Sequence, residues 1–363
     1  MKYSFILPCR NEEKALPIVI NKIKKVMENL KEKSFEIIVS NNLSTDNSPQ
    51  IAKKLGAKVV NQPILGYGAA YLKGFEQAKG KILILADADD TYDINELPNL
   101  LPHIKNNDLI LGKRTYFKDG SMHFLNKYIG NPILSGVLRI FFGAKVKDAH
   151  SGFRVIKKEA LEKLELQTTG MEFASEMIIK ASKNNLKIKE IPISYHPRKG
   201  ETKLRRFRDG WRHLRFMLMH APNYLFFIPG LLLFLFGLNL IAFMQDRVVY
   251  GCFFIILGYQ ITNLGIYTKA YMKSSGFIKS NGLTKKTTKQ TKFESGFIWG
   301  GLLLIISLLI SRKITFYTIA KNTGFPSHSL IIIALTIAIL GIQTIFSSFL
   351  ISILSIEKKK NGR

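Results

Sequence analysis

Apolar and polar positions fall into two kinds of block along the first 200 residues. Short, nearly unbroken apolar runs, "KYSFILP", "FEIIVSNN", "AKVVNQ" and "KILILADAD", predict strands. Between them, "EEKALPIVINKIKKVMENLKEK", "SPQIAKKLG" and "GAAYLKGFEQAKG" carry the helical spacing, the last closed by Gly80. Strands without in–out alternation, separated by helices, predict an α/β domain whose mostly parallel sheet is covered on both faces. Ligands of such sheets bind outside the C-terminal strand ends. The polar clusters "PCRNE", "SNNLSTD", "NQPILGYG" and "DADD" all fall at such ends.

Beyond residue 200 the pattern changes. In "KLRRFRDGWRHLRFML", Leu204, Phe207, Trp211, Leu214 and Leu218 form one helical stripe, and Arg205, Arg206, Arg208, Arg212 and Arg215 take the remaining surface. A basic helix with an apolar stripe suits a membrane interface; packing on the soluble core with solvated arginines is the alternative. Four long apolar runs follow, at Tyr224–Phe243, Val248–Ala270, Gly296–Ser311 and Ser329–Ile356. The third is shorter than the ~20 residues that cross a ~30 Å hydrocarbon core, so it extends into its flanks or tilts little. The predicted organisation is a soluble α/β domain over 1–200, a basic interfacial helix over 201–221, four membrane helices over 222–356 and a basic tail over 357–363.

Charge sharpens this picture. The chain has 53 Lys+Arg against 26 Asp+Glu, a net charge of +27, which points to an anionic partner: nucleic acid, membrane or phosphorylated substrate. From Ala221 onward the only acids are Asp246, Glu294 and Glu357. The loop between the second and third spans holds Lys273, Lys279, Lys285, Lys286, Lys289 and Lys292, and the tail carries "EKKK" and Arg363. The loop between the third and fourth holds just Arg312, Lys313 and Lys321. The positive-inside rule therefore places the N-terminal domain, the middle loop and the tail in the cytoplasm, in a multi-pass protein of the cell membrane. The N-terminus "MKYSFILPCRNEE" turns polar too soon for a signal peptide, in keeping with that placement. The excess charge follows the membrane flanks rather than an aromatic-lined groove, so no nucleic-acid partner is expected. Cys9 and Cys252 predict neither a disulfide nor a metal site.

Against this basic background, "LADADDTYD" packs Asp87, Asp89, Asp90 and Asp93 behind an apolar strand. Side chains alternate along a strand, so Asp87 and Asp89 face one side. Such a pair suits a hard divalent cation, Mg2+ or Mn2+, that carries phosphate oxygens. Asp93, with Glu96 three residues on, fits a capping box instead. Gly66 and Gly68 in "LGYGAA" precede a helix and would let backbone N–H groups approach a phosphate, although turns also use glycine freely.

The blocks "ILPCRNEE", "SNNLSTDNS", "GYGAAYLKGFEQAKG", "ILADAD", "DAHSGFRV" and "MEFASEMIIKA" occur in an order that resembles family 2 glycosyltransferases with a GT-A fold. With "PISYHPRKGETKL" and the spans, the chain looks most like the multi-span polyprenyl-phosphate glycosyltransferases, the group that includes dolichyl-phosphate mannose synthases. The resemblance covers residues 1–220. It implies a GT-A catalytic domain with a nucleotide cradle at Pro8, Arg10, Glu12, Asn41, Asn42 and Asp46, joined by Gly66 and Gly68. Asp87 would lie near the nucleoside and Asp89 at the metal. Arg114, Lys127, Arg154, Arg198, Lys199 and Lys203 are candidates for a lipid phosphate, and Asp87, Asp89, Arg114 and Arg154 are the catalytic candidates. Asn41 and Asn42 stand where the family often has two Asp, Thr91 where mannose synthases carry Gln, and Leu65 where Lys or Arg is usual. These departures favour a UDP-hexose over GDP-mannose as donor.

Glu176 reads at least as well as a salt-bridge partner of one of these arginines as a catalytic group, Asp148 as a turn acid or an orienter, and His150 as a turn cap. The activity implied is inverting transfer of a hexose from a nucleotide diphosphate sugar to polyprenyl or dolichyl phosphate, giving a lipid-linked sugar for glycan or glycoprotein assembly. A processive polysaccharide synthase of the same fold is one alternative, although the Q-x-x-R-W block of such enzymes does not occur. A non-catalytic membrane scaffold or lipid transporter is another. A homo-oligomer is left open.

Overall fold

The computed structural model describes residues 1–200, 206–274, 293–321 and 328–355. It divides into two compact units, Met1–Met217 and Leu218–Arg363.

The first unit is built on a seven-stranded sheet: β1 (Tyr3–Cys9), β2 (Phe35–Asn41), β3 (Lys58–Asn61), β4 (Ile82–Leu85), β5 (Leu109–Phe117), β6 (Arg154–Lys157) and β7 (Ile188–Tyr195). The order across the sheet is β3-β2-β1-β4-β6-β5-β7. All neighbours run parallel except β6, which is antiparallel to both β4 and β5. The helices are α1 (Leu16–Asn29), α2 (Ser48–Lys54), α3 (Tyr67–Gln77), the single turn α4 (Leu97–Leu100), α5 (Asn131–Phe142), α6 (Lys158–Leu164), α7 (Phe173–Lys183) and α8 (Arg206–Met219).

The unbroken apolar runs are explained by two separate cores, one on each face. In β1, Phe5 and Leu7 join Leu16, Ile20, Ile23 and Met27 of α1, whereas Ile6 between them joins Tyr71 of α3 and Phe173 and Met177 of α7. Each strand residue is thus buried whichever way it points. At ~25 cal/mol per Å2, each such large side chain contributes roughly 1.5–3 kcal/mol. Gly74 lets α3 lie directly on the sheet, since a Cβ there would run into Ile6 and Ser40.

Helix α8 departs from the predicted stripe. Its buried residues are His213 and Met217, with Phe216 packed beside them, while Trp211 stays 56% exposed. Histidine counts as polar in a periodicity reading, yet His213 is buried because its ring has a hydrogen-bond partner, Ser175. Trp211 of the predicted stripe therefore does not pack on the sheet. Of that stripe, Leu204 lies outside the described residues, as does Arg205.

Among the described residues, the second unit holds four helices long and apolar enough to cross a membrane, over Asn223–Phe243, Val248–Ser274, Glu294–Ile314 and Ser329–Leu354. The third reaches the necessary length by extending on both sides of the predicted run. Small residues bring the helices together. Gly230 and Gly237 face Gly258 and Gly251 between the first and second spans, and Gly300 faces Gly341 between the third and fourth. Tyr259 bonds Thr344 and Tyr267 donates to Ser347, both at 2.6 Å, tying the second span to the fourth.

Candidate active site

The acidic turn closes β4. Asp89 is buried, and one of its oxygens accepts from the Thr91 N–H at 3.1 Å and the Thr91 hydroxyl at 2.6 Å. Thr91 therefore orients Asp89. Its other oxygen lies 3.0 Å from the Arg198 guanidinium, which also pairs with Glu12. Asp87 accepts from the Tyr67 hydroxyl at 2.9 Å. Its second oxygen lies against Gly152, where a Cβ would come within 2.8 Å of it. Burial, and then the charge of Asp89, raise the Asp87 pKa to about 7.

The remaining acids of the cluster are structural. Asp90 is buried at a positive φ of 63° and paired with Lys22 at 2.7 Å and Lys199 at 2.8 Å. Asp93 caps the next turn by accepting from Asn95 N. Glu96 does not complete the expected capping box, because its carboxylate accepts from Ser194 N at 2.9 Å instead. The concentrated negative charge thus meets Lys22, Arg198 and Lys199. The segment after β7 crosses the turn, with His196 N donating to the Thr91 carbonyl and Lys199 N to that of Asp89.

Arg198 and Lys199 therefore pair with the acidic turn and Glu12. Lys203 lies outside the described residues. Lys127 holds its ammonium 4.3 Å over the Phe117 ring and 5.0 Å over that of Tyr128.

Arg114, on β5, is gripped by Asp148, its Nε to Oδ2 at 2.8 Å and its Nη2 to Oδ1 at 2.6 Å, and it lies over the Tyr195 ring. Burial opposes its charge, but Asp148 outweighs burial and the pKa lies above its ordinary value. Two of the five guanidinium N–H directions are used by this pair, which leaves donors for an anion. Arg154 differs. It is 2% exposed and donates to the carbonyls of Ser151, Ala149 and Ala174 and to the Met177 sulfur. A phosphate has no access to it. Arg154 pins the 148–154 loop onto α7, which corrects its placement among the lipid-phosphate and catalytic residues.

Several donor-side candidates also turn out to hold loops together. Asn42 donates to the Gln62 and Ile64 carbonyls and accepts from Gly66 N at 2.8 Å, so its amide is consumed by backbone. Gly68 N and Ala69 N donate to the Gly170 and Thr169 carbonyls, and a Cβ at Gly66 or Gly68 would collide with the 168–169 backbone. These glycines serve close chain approach rather than a phosphate. The same loop is fixed by Glu176, which accepts from Gln167 N, Thr168 N and the Thr168 hydroxyl and pairs with Lys180 at 2.7 Å. Glu176 is thereby structural. Asn41 bonds Asn61 and Ser44 N, Asp46 accepts from Glu13 N and Ser48 N, and Arg10 is exposed beside Pro8 at the end of β1.

A feature not legible from sequence lies behind the 148–154 loop. The Ser175 hydroxyl sits between two imidazoles, 3.0 Å from His150 Nε2 and 2.8 Å from His213 Nδ1. Burial lowers the pKa of both, that of His213 to about 4. Each therefore folds neutral, while the unfolded chain protonates near 6.5. The unfolded state binds more protons, so stability rises with pH across this window. Lowering the pH from 6.5 towards about 4 is expected to destabilise the first unit, on the order of 3 kcal/mol from His213 alone. Thermal unfolding of the detergent-solubilised chain between pH 7 and 5 checks this, and His213→Asn should flatten the profile.

A mostly parallel sheet with carboxylates beyond a central strand end, in a chain with four candidate membrane spans, is a GT-A-type domain in a membrane protein. Residues 4–165 match the glycosyl transferase family 2 model, and residues 266–355 match the glycosyltransferase family 2 C-terminal transmembrane region. The low-salt glycan biosynthesis hexosyltransferase Agl6 of Haloferax volcanii is 36% identical over 367 residues, 96% of this chain and 88% of that protein. The chain belongs to glycosyltransferase family 2. A dolichyl-phosphate hexose transferase of the same organism is 32% identical over 202 residues, 55% of this chain and 85% of that protein. The crystal structure of mannosyl-3-phosphoglycerate synthase from Rubrobacter xylanophilus shares the fold, with a TM-score of 0.51 at 17% identity over 61% of this chain and 74% of that one.

Proposed function

We propose that the protein transfers a hexose, with inversion, from a nucleotide diphosphate sugar to a polyprenyl or dolichyl monophosphate at the cytoplasmic membrane face. The product would be a lipid-linked sugar for glycan or glycoprotein assembly. The observation that carries this reading is the pairing of Asp87 and Asp89 at the end of β4 with the Asp148-held Arg114 on β5, in a chain with four candidate spans. The similarity to Agl6 and to a dolichyl-phosphate hexose transferase supports it.

The residues fit a divalent cation. The Arg198 guanidinium already stands as a positive group 3.0 Å from Asp89. Among the described residues no group of three or more His, Cys, Asp and Glu could hold a metal alone. Asp89, with Asp87, would hold Mg2+ or Mn2+ and leave the remaining ligand positions to diphosphate oxygens. Such an ion supplies charge neutralisation for a departing diphosphate. Thr91 fixes the Asp89 carboxylate, and Tyr67 fixes Asp87. Arg114 positions the lipid phosphate, which is anionic at neutral pH and needs no base to attack. Arg10, Glu12, Asn41 and Asp46 line the donor side.

The decisive assay incubates the purified full chain with radiolabelled UDP- and GDP-hexoses and polyprenyl phosphate, with and without chelator. One sugar per lipid is expected, lost on chelation. A polymeric product would favour the processive synthase, and absence of any nucleotide-sugar binding the scaffold. Arg114→Ala is expected to lower acceptor efficiency about tenfold to a hundredfold, the ~1.5–3 kcal/mol of a charged hydrogen bond. Arg114→Lys should rescue only part, lacking the planar fork. Arg154→Ala should instead lower the melting temperature.

Orientation has its own test. Single cysteines at Lys285 and Arg363, both outside the described residues, should label from the cytoplasmic side, and one at Lys321 from the opposite side. Labelling of 285 and 321 from one side would overturn the assignment.

A further inference from the structure

The reaction proposed above makes no use of the buried imidazole pair, yet the loop in front of that pair reaches the site twice. Asp148 accepts from the Arg114 backbone N–H, Nε and Nη2, and Gly152 lies against Asp87. Midway between them His150 turns to Ser175 on α7, and Ser175 reaches His213 on α8. The two rings stand edge to face with 4.4 Å between centroids. In sequence, α8 continues to the first candidate span at Asn223. One hydroxyl thus joins the helix that precedes the membrane segments to the loop that grips Arg114.

The cluster is directional. Ser175 has one hydroxyl proton, so it donates to one ring and accepts an N–H from the other. Polar rings are costly to bury, and apolar side chains would fill the same space without that cost. Hydrogen bonding does not remove all of it here: His150 Nδ1 is buried and, among the described residues, has no partner. A polar atom left in this way points to a role beyond packing. The two ends of the loop differ in what they control. Asp87 is fixed by the Tyr67 hydroxyl as well as by Gly152, and Gly152 N is separately held by the Tyr92 hydroxyl at 2.7 Å. Among the described residues, the Arg114 guanidinium donates to Asp148 alone. A shift of the loop therefore moves the guanidinium more than the carboxylate.

We infer that His150, Ser175 and His213 are positioning residues for the acceptor: they hold the 148–154 loop so that Asp148 presents the Arg114 guanidinium to the lipid phosphate. This role rests on the transfer reaction proposed above. Through it, the seat of α8 sets the acceptor side of the site and leaves the donor side alone.

The test uses the full chain in detergent, with nucleotide sugar and polyprenyl phosphate varied separately. Ser175→Ala and His213→Leu should each lower kcat/KM for the acceptor about tenfold, the scale of one lost hydrogen bond, and leave nucleotide-sugar affinity unchanged. His213→Asn and His150→Gln carry amides where the bonding ring nitrogens stand, and should keep most of the wild-type efficiency. In an Arg114→Ala background, Ser175→Ala should cost nothing further, because its effect passes through that arginine. Losses that add to that of Arg114→Ala, or that fall equally on donor and acceptor, would overturn the inference. So would unchanged kinetics with only a lower melting temperature. Hydrogen exchange separates the cluster from the proposed reaction. In Ser175→Ala the amides of Arg114 and Ala149, which donate to Asp148 and Ser135, should exchange faster, and those of β1 to β3 should not. Absence of any lipid-linked sugar from the wild type would sink the transfer reading and the acceptor role with it. Unchanged exchange at these two amides would instead refute the hold of the cluster on the loop.

Discussion

Asp89→Ala is expected to abolish sugar transfer, with a fall in turnover of about a hundredfold to a thousandfold or more. That is the scale, roughly 2.7–4 kcal/mol, of removing one group aimed at charge that develops in the transition state. Asp89 is 7% exposed and oriented by two hydrogen bonds from Thr91, so no neighbouring carboxylate can swing into its place. Asp87 is tied to Tyr67 and set against Gly152, and Asp90 is paired with Lys22 and Lys199. Asp87→Ala should act mainly on donor binding. Transfer assays and nucleotide-sugar titrations separate the two effects. Normal turnover by Asp89→Ala, or by the chelated wild type, would remove the cation from the reading.

Arg198→Gln is expected to lower stability and, unusually, to make divalent cations restore it. Arg198 links Glu12 and Asp89, whose side chains are 6% and 10% exposed. Removing one partner of a buried pair costs roughly 3–5 kcal/mol, because the other charge is left uncompensated. The 21% exposure of Arg198 tempers that figure through solvent screening. At roughly 2–4 °C per kcal/mol for a domain of this size, the melting temperature of the first unit should drop by several degrees. Millimolar Mn2+ or Mg2+ should recover more of that loss than it adds to the wild type, since the ion no longer competes with a guanidinium for Asp89. Melting curves of the detergent-solubilised protein, with and without each ion, decide it. Equal gains for both proteins would mean that cation and guanidinium do not share the carboxylate.

The donor half of the sheet was legible because each strand there is an unbroken apolar run closed by a polar cluster. β1, β2, β3 and β4 emerge from the sequence within a few residues of their ends. The second half was less so. "FLNKYIGNPILSGVLRIFF" is apolar around most of its circumference, so periodicity picks out no core face. For the site, Asp87 and Asp89 could be placed at the end of β4 because they close its apolar run, but alternation does not fix their common side, since β4 stops at Leu85 and both lie in the turn beyond it. Arg154, Asn42 and Gly68 could not be placed, since what they touch comes from segments more than 20 residues away or from backbone carbonyls. A basic or amide side chain looks the same in sequence whether it faces a ligand or a carbonyl. The buried face of α8 was not legible for a related reason: His213 is buried through one hydrogen bond that hydropathy does not record.

The single reversed strand has a consequence for how such a protein can change. β6 pairs Arg154 with Leu85 of β4 and with Leu111 of β5, so both ends of the long excursion between β5 and β6 are clamped at one level of the sheet. Everything between, about 40 residues, leaves and returns through that clamp without altering the register of β1 to β4. The excursion behaves as an exchangeable cassette. Grafting a relative's segment between Phe117 and Lys147 should exchange α5 and its loop while Asp148 and Gly152, which touch Arg114 and Asp87, stay in place, so one side of the site can diversify while the carboxylates beyond β4 keep their geometry.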